Sequence, residues 1–123
     1  MSHWNHFRVG EFACHHCARN GIDANFITRL DVLRDRIGFP IAISSGFRCV
    51  EHDSAIGGAG VHPQGCAADI PTSGARQDIL IREAVAMGFR GIGVKAKGDH
   101  ASRYVHLDDL ESEDHPRPRI WTY

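Results

Sequence analysis

Two stretches, Cys66-Ala-Ala-Asp-Ile70 and Tyr104-Val-His-Leu-Asp108, decide how this chain folds. Each is short, bounded by turn residues or a polar loop, and reads as a strand. In a strand alternate side chains share a face, so Tyr104, His106 and Asp108 project together. Asp69 rides on the other strand and can meet them from a neighbouring position. His62 lies seven residues before Asp69, across a turn containing Gly65 that can fold it back onto the same point. His62, Asp69 and His106 would then offer two neutral imidazoles and a carboxylate, donors that suit zinc. Three protein ligands leave the fourth position of a tetrahedral ion for water, as hydrolytic zinc sites require. Taken singly, each spacing is a weak signal, because an isolated histidine is more often structural or solvated than a ligand.

Working outward, Asp23 is placed to cap a helix running to about Ile37. Phe26, Leu30, Leu33 and Ile37 form one apolar stripe along it. Gly38 ends this helix and Pro40 prevents its continuation. Ile41–Ser44 reads as a short buried strand, followed by the turn Ser45-Gly46. Residues 51–57 read as a short helix closed by Gly57-Gly58. After Pro71-Thr-Ser-Gly74, Ser73 is placed to cap a helix through Met87, with Ile79, Leu80, Ala84 and Met87 as its apolar residues and Gly88 as its end. Gly91–Val94 is a further strand, joined to 104–108 by the polar loop 95–103. Residues 1–21 read as irregular, anchored by Trp4, Phe7 and Phe12. The tail 109–123 is acidic, then rich in Pro and Arg, and closes on Trp121 and Tyr123. Irregular alternation of short strands and helices predicts an α+β domain over 1–123: a small, mainly antiparallel sheet with helices packed against one side.

Composition narrows the function classes. The 123 residues suffice for one modest core, and 42% apolar with 24% charged residues is ordinary for a globular chain. The formal charge is −1 with no basic block, which argues against nucleic acid as a partner. No run of about 18 apolar residues is present to span a membrane. The N-terminus lacks a basic start followed by an apolar run, so no signal peptide is expected and the chain would be made in the cytoplasm. Its four cysteines, Cys14, Cys17, Cys49 and Cys66, would then be mostly thiols. Nine histidines are the compositional oddity. His3, His6 and His115 read as surface residues without a role, a reading that serves less well for His62 and His106.

Ordered motifs add a resemblance. Ser44-Ser-Gly-Phe-Arg48-Cys, Glu51-His-Asp-Ser-Ala-Ile-Gly57-Gly58, His62…Gly65-x-Ala-Ala-Asp69-Ile70 and Val105-His106-Leu-Asp108 occur in that sequence. Together they resemble the zinc D-Ala-D-Ala carboxypeptidase family, including phage and prophage members with a His-x-Asp ending. Phe7-Arg-Val-Gly-Glu-Phe-Ala-Cys14 and Arg117-Pro-Arg-Ile-Trp121 are similar to the beginning and end of such members. The hedgehog signalling domain shares that fold and zinc site. The resemblance implies a hedgehog/DD-peptidase-like fold with Zn2+ on His62, Asp69 and His106. It also implies that Arg48 binds a substrate carboxylate or polarises the scissile carbonyl; a structural ion pair is the alternative for Arg48. Tyr104, on the face of His106, is assigned with Arg48 to substrate binding.

Departures from the pattern matter as well. Many members carry an acidic general base three residues before the second histidine, and here that position is Arg103, which stays protonated. Asp108 is the first candidate to replace it, with orientation of the His106 ring as its alternative role. Asp99 and His100 are weaker candidates. Asp53 stands where an Asn is common, and Val61 where a polar residue is usual. Cys14-x-x-Cys17, with His15 and His16 between, invites a second metal that Cys49 or His52 could approach; packed thiols are the simpler reading.

The expected function is a monomeric zinc metallopeptidase acting on peptidoglycan stem peptides or muropeptides, either as a carboxypeptidase or as an endolysin-type endopeptidase. A phage holin or a virion would bring it to the wall. The alternative is a non-catalytic zinc-binding module that holds a protein or peptide partner.

Overall fold

The structure, a computed structural model, describes residues 4–123; His3 lies outside them. Helix α1 (Ala24–Ile37) begins where the Asp23 carboxylate accepts the Asn25 N–H and ends at Gly38 in the left-handed region. Its stripe Phe26, Leu30, Leu33 and Ile37 is buried, as its periodicity predicts, and Ile27 is buried with it. After α2 (Val50–Ala55) come strand β1 (Ala67–Pro71), helix α3 (Gly74–Met87), and strands β2 (Gly91–Lys95), β3 (Tyr104–Asp108) and β4 (Arg119–Thr122). Ser73 stands before α3, but its side chain makes no capping hydrogen bond. No helix among the described residues is long and apolar enough to cross a membrane.

The sheet order is β1-β3-β2-β4, with β3 antiparallel to both neighbours and β2 parallel to β4. The architecture is the expected α+β fold with a mainly antiparallel sheet. Two elements differ from expectation. Residues 41–44 do not form a strand: the contact with β1 is one bridge, Ser45 to Asp69, before Phe47 N–H turns away to the Phe12 carbonyl. Pro40 lacks an N–H, and the chain runs beside β1 only around Ser44 and Ser45 before that turn. Strand β4 lies in the tail that carried no expected element. It is four residues long, follows Pro116 and Pro118, and takes its register from β2, remote in sequence.

Register makes the two faces of the sheet different. Ala68, Ile70, Ile92, Val105 and Leu107 point into the core with the α1 stripe and with Leu80 and Ala84 of α3. Full burial of such Leu and Ile side chains contributes about 1.5–3 kcal/mol each. On the other face, Asp69 of β1, His106 of β3, Gly93 of β2 and Trp121 of β4 stand opposite one another in one row. Gly93 is required there, because an added Cβ would lie 2.6 Å from Trp121 Nε1. One row along, Gly91 faces Asp108, and its Cβ would clash with that carboxylate. The pattern Gly-Ile-Gly-Val thus lets β2 be apolar on the core side and thin on the other.

Gly93→Ala should therefore push Trp121 off its seat beside His106. We expect a loss of about 1–3 kcal/mol in denaturant unfolding, the usual cost of overpacking, with a change in tryptophan emission. Wild-type stability and emission would contradict this packing.

Candidate metal centre

His62 opens the short 3-10 turn His62–Gln64, and Gly65, with φ of 83°, swings the chain into β1. The His62 Nδ1–H donates to the Gly46 carbonyl at 2.8 Å, which leaves Nε2 with its lone pair. That Nε2 is 3.5 Å from Asp69 Oδ1. On β3, His106 Nε2–H donates to Asp108 Oδ2 at 2.7 Å, and Nδ1 lies 3.0 Å from the same Asp69 Oδ1. The three ligand atoms lie within 4.8 Å of one another. Bond lengths of zinc to N and O imply an N-to-O edge of about 3.4 Å around a tetrahedral ion, which the two observed distances bracket. Each outer imidazole nitrogen is held by a carbonyl or carboxylate, as for metal-binding histidines generally. His62, Asp69 and His106 therefore fit a zinc ion.

Electrostatics agree with the donor set. Burial pushes the Asp69 carboxyl up, but hydrogen bonds with His106 and His62 outweigh it and hold Asp69 well below the usual carboxylate range. Burial alone would lower the His106 pKa, yet the Asp108 and Asp69 carboxylates on either side raise it. A protonated His106 gives one N–H to each carboxylate, Nε2–H to Asp108 and Nδ1–H to Asp69, and a cation has to displace the Nδ1 proton.

Asp108 is fully buried. Its Oδ1 accepts Arg117 Nε–H at 2.9 Å and Leu110 N–H at 3.2 Å, while Oδ2 accepts Arg117 Nη2–H at 2.8 Å besides His106. Burial would raise its pKa, but His106 and Arg117 hold the carboxylate ionised. It does not line the cavity beside the ligands. This geometry corrects the general-base reading of Asp108: of its two alternatives, the carboxylate has the position of the orienting partner of His106.

That cavity has a volume of about 420 Å³. Arg48 lines it and also makes the ion pair named as its alternative, Nη1 to Asp53 Oδ1 at 2.7 Å, with Nη2 on Ser45 Oγ at 3.0 Å. Asp53 is buried, and its other oxygen accepts the Gly60 N–H, so its charge holds both Arg48 and the glycine turn. Tyr104 lines the cavity too. Burial, the neighbouring Tyr123 and the Asp69 carboxylate push its phenol up to about 12, so it stays a proton donor at neutral pH. Arg103 donates to the Gly98 carbonyl and, like Asp99 and His100, is not part of the cavity wall.

Sequence reasoning missed several wall residues. Trp121 sits 5.3 Å from the His106 ring, centre to centre. Its one signal was the glycine-only face of β2, which needs a cover. His115, expected as a surface residue without a role, lines the cavity with Asp114. Its Nε2–H donates to the Ala59 carbonyl at 2.8 Å, leaving Nδ1 buried and without a hydrogen-bond partner. His6 does sit at the surface, paired with Asp35.

A family model described as Peptidase M15 matches residues 5–108. The chain belongs to the peptidase M15 family. Its peptidases are zinc-dependent, in accord with the donors described above. No curated protein shows a significant match to the chain. The M15 match stops at Asp108, so Asp114, His115, Arg117, Trp121 and Tyr123 of this M15 chain lie beyond it while walling the cavity.

Two outcomes test the centre. His62→Ala and Asp69→Ala should each abolish zinc binding at this centre in equilibrium dialysis, and wild-type zinc should be lost on acidification. Because the metal-free His106 pKa is raised, proton competition should begin to weaken the apparent zinc affinity above the ordinary imidazole value of about 6.5; an apparent affinity that does not fall on acidification to about pH 5 would contradict the assignment. Asp108→Asn should weaken zinc affinity about 10–100-fold without emptying the site at saturating zinc, and an unchanged affinity would remove its orienting role.

Proposed function

We propose that this chain is a zinc metallopeptidase that hydrolyses peptide bonds in peptidoglycan stem peptides, as a D-Ala-D-Ala carboxypeptidase or an endolysin-type endopeptidase. The carrying observation is the convergence of His62, Asp69 and His106 on a cavity lined by Arg48 and Arg119. Stem peptides end in carboxylates, and guanidinium forks suit carboxylates and developing oxyanions.

Zinc bound there supplies Lewis acidity, polarising a carbonyl and lowering the pKa of water toward about 7. The protein does the rest. Arg48, fixed by Asp53 and Ser45, receives the substrate carboxylate or scissile carbonyl. Tyr104 offers its phenol proton to a carbonyl or an oxyanion. Arg117 and Asp108 hold the His106 ring in its tautomer. Asp114 is the carboxylate on the wall besides the ligand Asp69, and it stands in for the acidic residue replaced by Arg103. Specificity rests on the cavity wall, where Arg48 and Tyr104 face residues of the 114–123 segment. Delivery to the wall by a holin or within a virion, and action as a monomer, belong to the same proposal.

The second reading is a non-catalytic zinc module that grips a partner's loop, favoured by Arg103 and its bond to Gly98. Digestion of purified peptidoglycan and its muropeptides, read by mass spectrometry, separates the two. The zinc-loaded protein should yield a new product that vanishes in His62→Ala and falls at least tenfold in Arg48→Ala. No product, with zinc bound at His62, would overturn the peptidase and leave the binding module.

A further inference from the structure

A second cluster of metal-type donors lies where the N-terminal segment meets α2. Cys14 follows the 3-10 turn Val9–Phe12. Its N–H donates to the Arg19 carbonyl at 2.7 Å, and the Ala18 N–H donates to the Cys14 carbonyl at 2.9 Å, closing a tight loop over Cys14-His15-His16-Cys17-Ala18. Ala18 has φ of 63° and is the one described non-glycine residue in the left-handed region, where a Cβ is disfavoured. The loop brings the sulfurs of Cys14 and Cys17 within 4.8 Å of each other and of Cys49, the residue before α2. All are free thiols.

Every sulfur in the trio accepts an N–H. The Cys49 N–H donates to Cys14 Sγ at 3.3 Å, the His52 N–H to Cys49 Sγ at 3.4 Å, and Arg19 Nε–H to Cys17 Sγ at 3.2 Å. Burial pushes the Cys14 thiol up, but N–H groups of Cys49, Cys17 and His16 outweigh it and lower its pKa to about 6. Burial and the neighbouring sulfurs push Cys49 the other way. Three adjacent sulfurs repel one another as thiolates, and a bound cation removes that conflict. His16 Nδ1 is 3.5 Å from Cys49 Sγ, though not within 4.8 Å of all three sulfurs, so a small turn of its side chain would complete the set; its ring is stacked on His52 with centres 5.1 Å apart. Zinc bond lengths to S and N imply an S-to-N tetrahedral edge of about 3.6 Å.

We propose that Cys14, Cys17 and Cys49, with His16 as the fourth ligand, hold a structural zinc ion separate from the His62–Asp69–His106 centre. The pattern of a C-x-x-C pair, one remote Cys and one His is a Cys3His set, closed to water and hence structural. It ties an irregular N-terminal segment to the start of α2. Arg48 immediately precedes Cys49, so the ion also anchors one wall of the cavity from behind.

Cobalt(II) separates the two centres, because thiolate-to-cobalt charge transfer in the near ultraviolet needs sulfur ligands and the His62–Asp69–His106 set has none. The reduced wild-type protein should bind two equivalents and show the charge-transfer band. His62→Ala should bind one equivalent with the band undiminished. Cys17→Ser should lose the band and keep one equivalent; if it fails to fold, the other two spectra still decide. His16→Ala should shift the visible cobalt bands, whereas His52→Ala should not. A single equivalent without a charge-transfer band in reduced wild-type protein would overturn the site. An unchanged visible spectrum in His16→Ala would overturn the fourth ligand.

Discussion

Strand β3 sits between β1 and β2 in a register that sets Asp69, His106 and Gly93 side by side, and the metal chemistry depends on that alignment. Side chains alternate along a strand, so a slip of one residue would turn His106 into the core and expose Val105 and Leu107. The same register buries Ala68, Ile70, Ile92, Val105 and Leu107 against α1 and α3. Packing of the apolar face thus enforces the geometry of the polar one. His62 alone among the three ligands lies outside the sheet, and it is held by the Gly46 carbonyl and the Gly65 turn.

Behind this row lies a buried charge. Taking the Asp108 carboxylate out of water costs several kcal/mol unless its oxygens are satisfied. The Arg117 fork, the Leu110 N–H and the His106 ring do so together. A line of force runs from Arg117 through Asp108 to His106, ending at the nitrogen that faces Asp69. Arg48 is held in a parallel way by Asp53 and Ser45.

Local signals carried much of this. The α1 stripe, its Asp23 cap and its Gly38 stop follow from side-chain period and turn chemistry. Strands β1 and β3, with the candidate donors Asp69 and His106, were legible because period two puts Tyr104, His106 and Asp108 on one face. What failed was information held in distant partners. Residues 41–44 look like a strand but find β1 only at Ser45, and β4 looks like a tail but finds β2. Asp108 was ambiguous because its role turns on Arg117, nine residues away across a proline-rich turn. His115 had no sequence signal at all; a loop carries it to Ala59.

The placement of β4 has a consequence for biosynthesis. A nascent chain that has left the ribosome as far as Asp108 contains all three ligands and the whole α1–α3 core. It lacks Arg117, and its Asp108 carboxylate is then a charge without its bidentate partner in the hollow beside Gly91. Until residues 117–122 emerge and β4 docks on β2, the Asp108 carboxylate behind His106 lacks its arginine partner. The three ligands and their support thus come from separate stretches of the chain, and a segment reaching only to Asp108 holds the donors without the arginine that fixes one of them from behind.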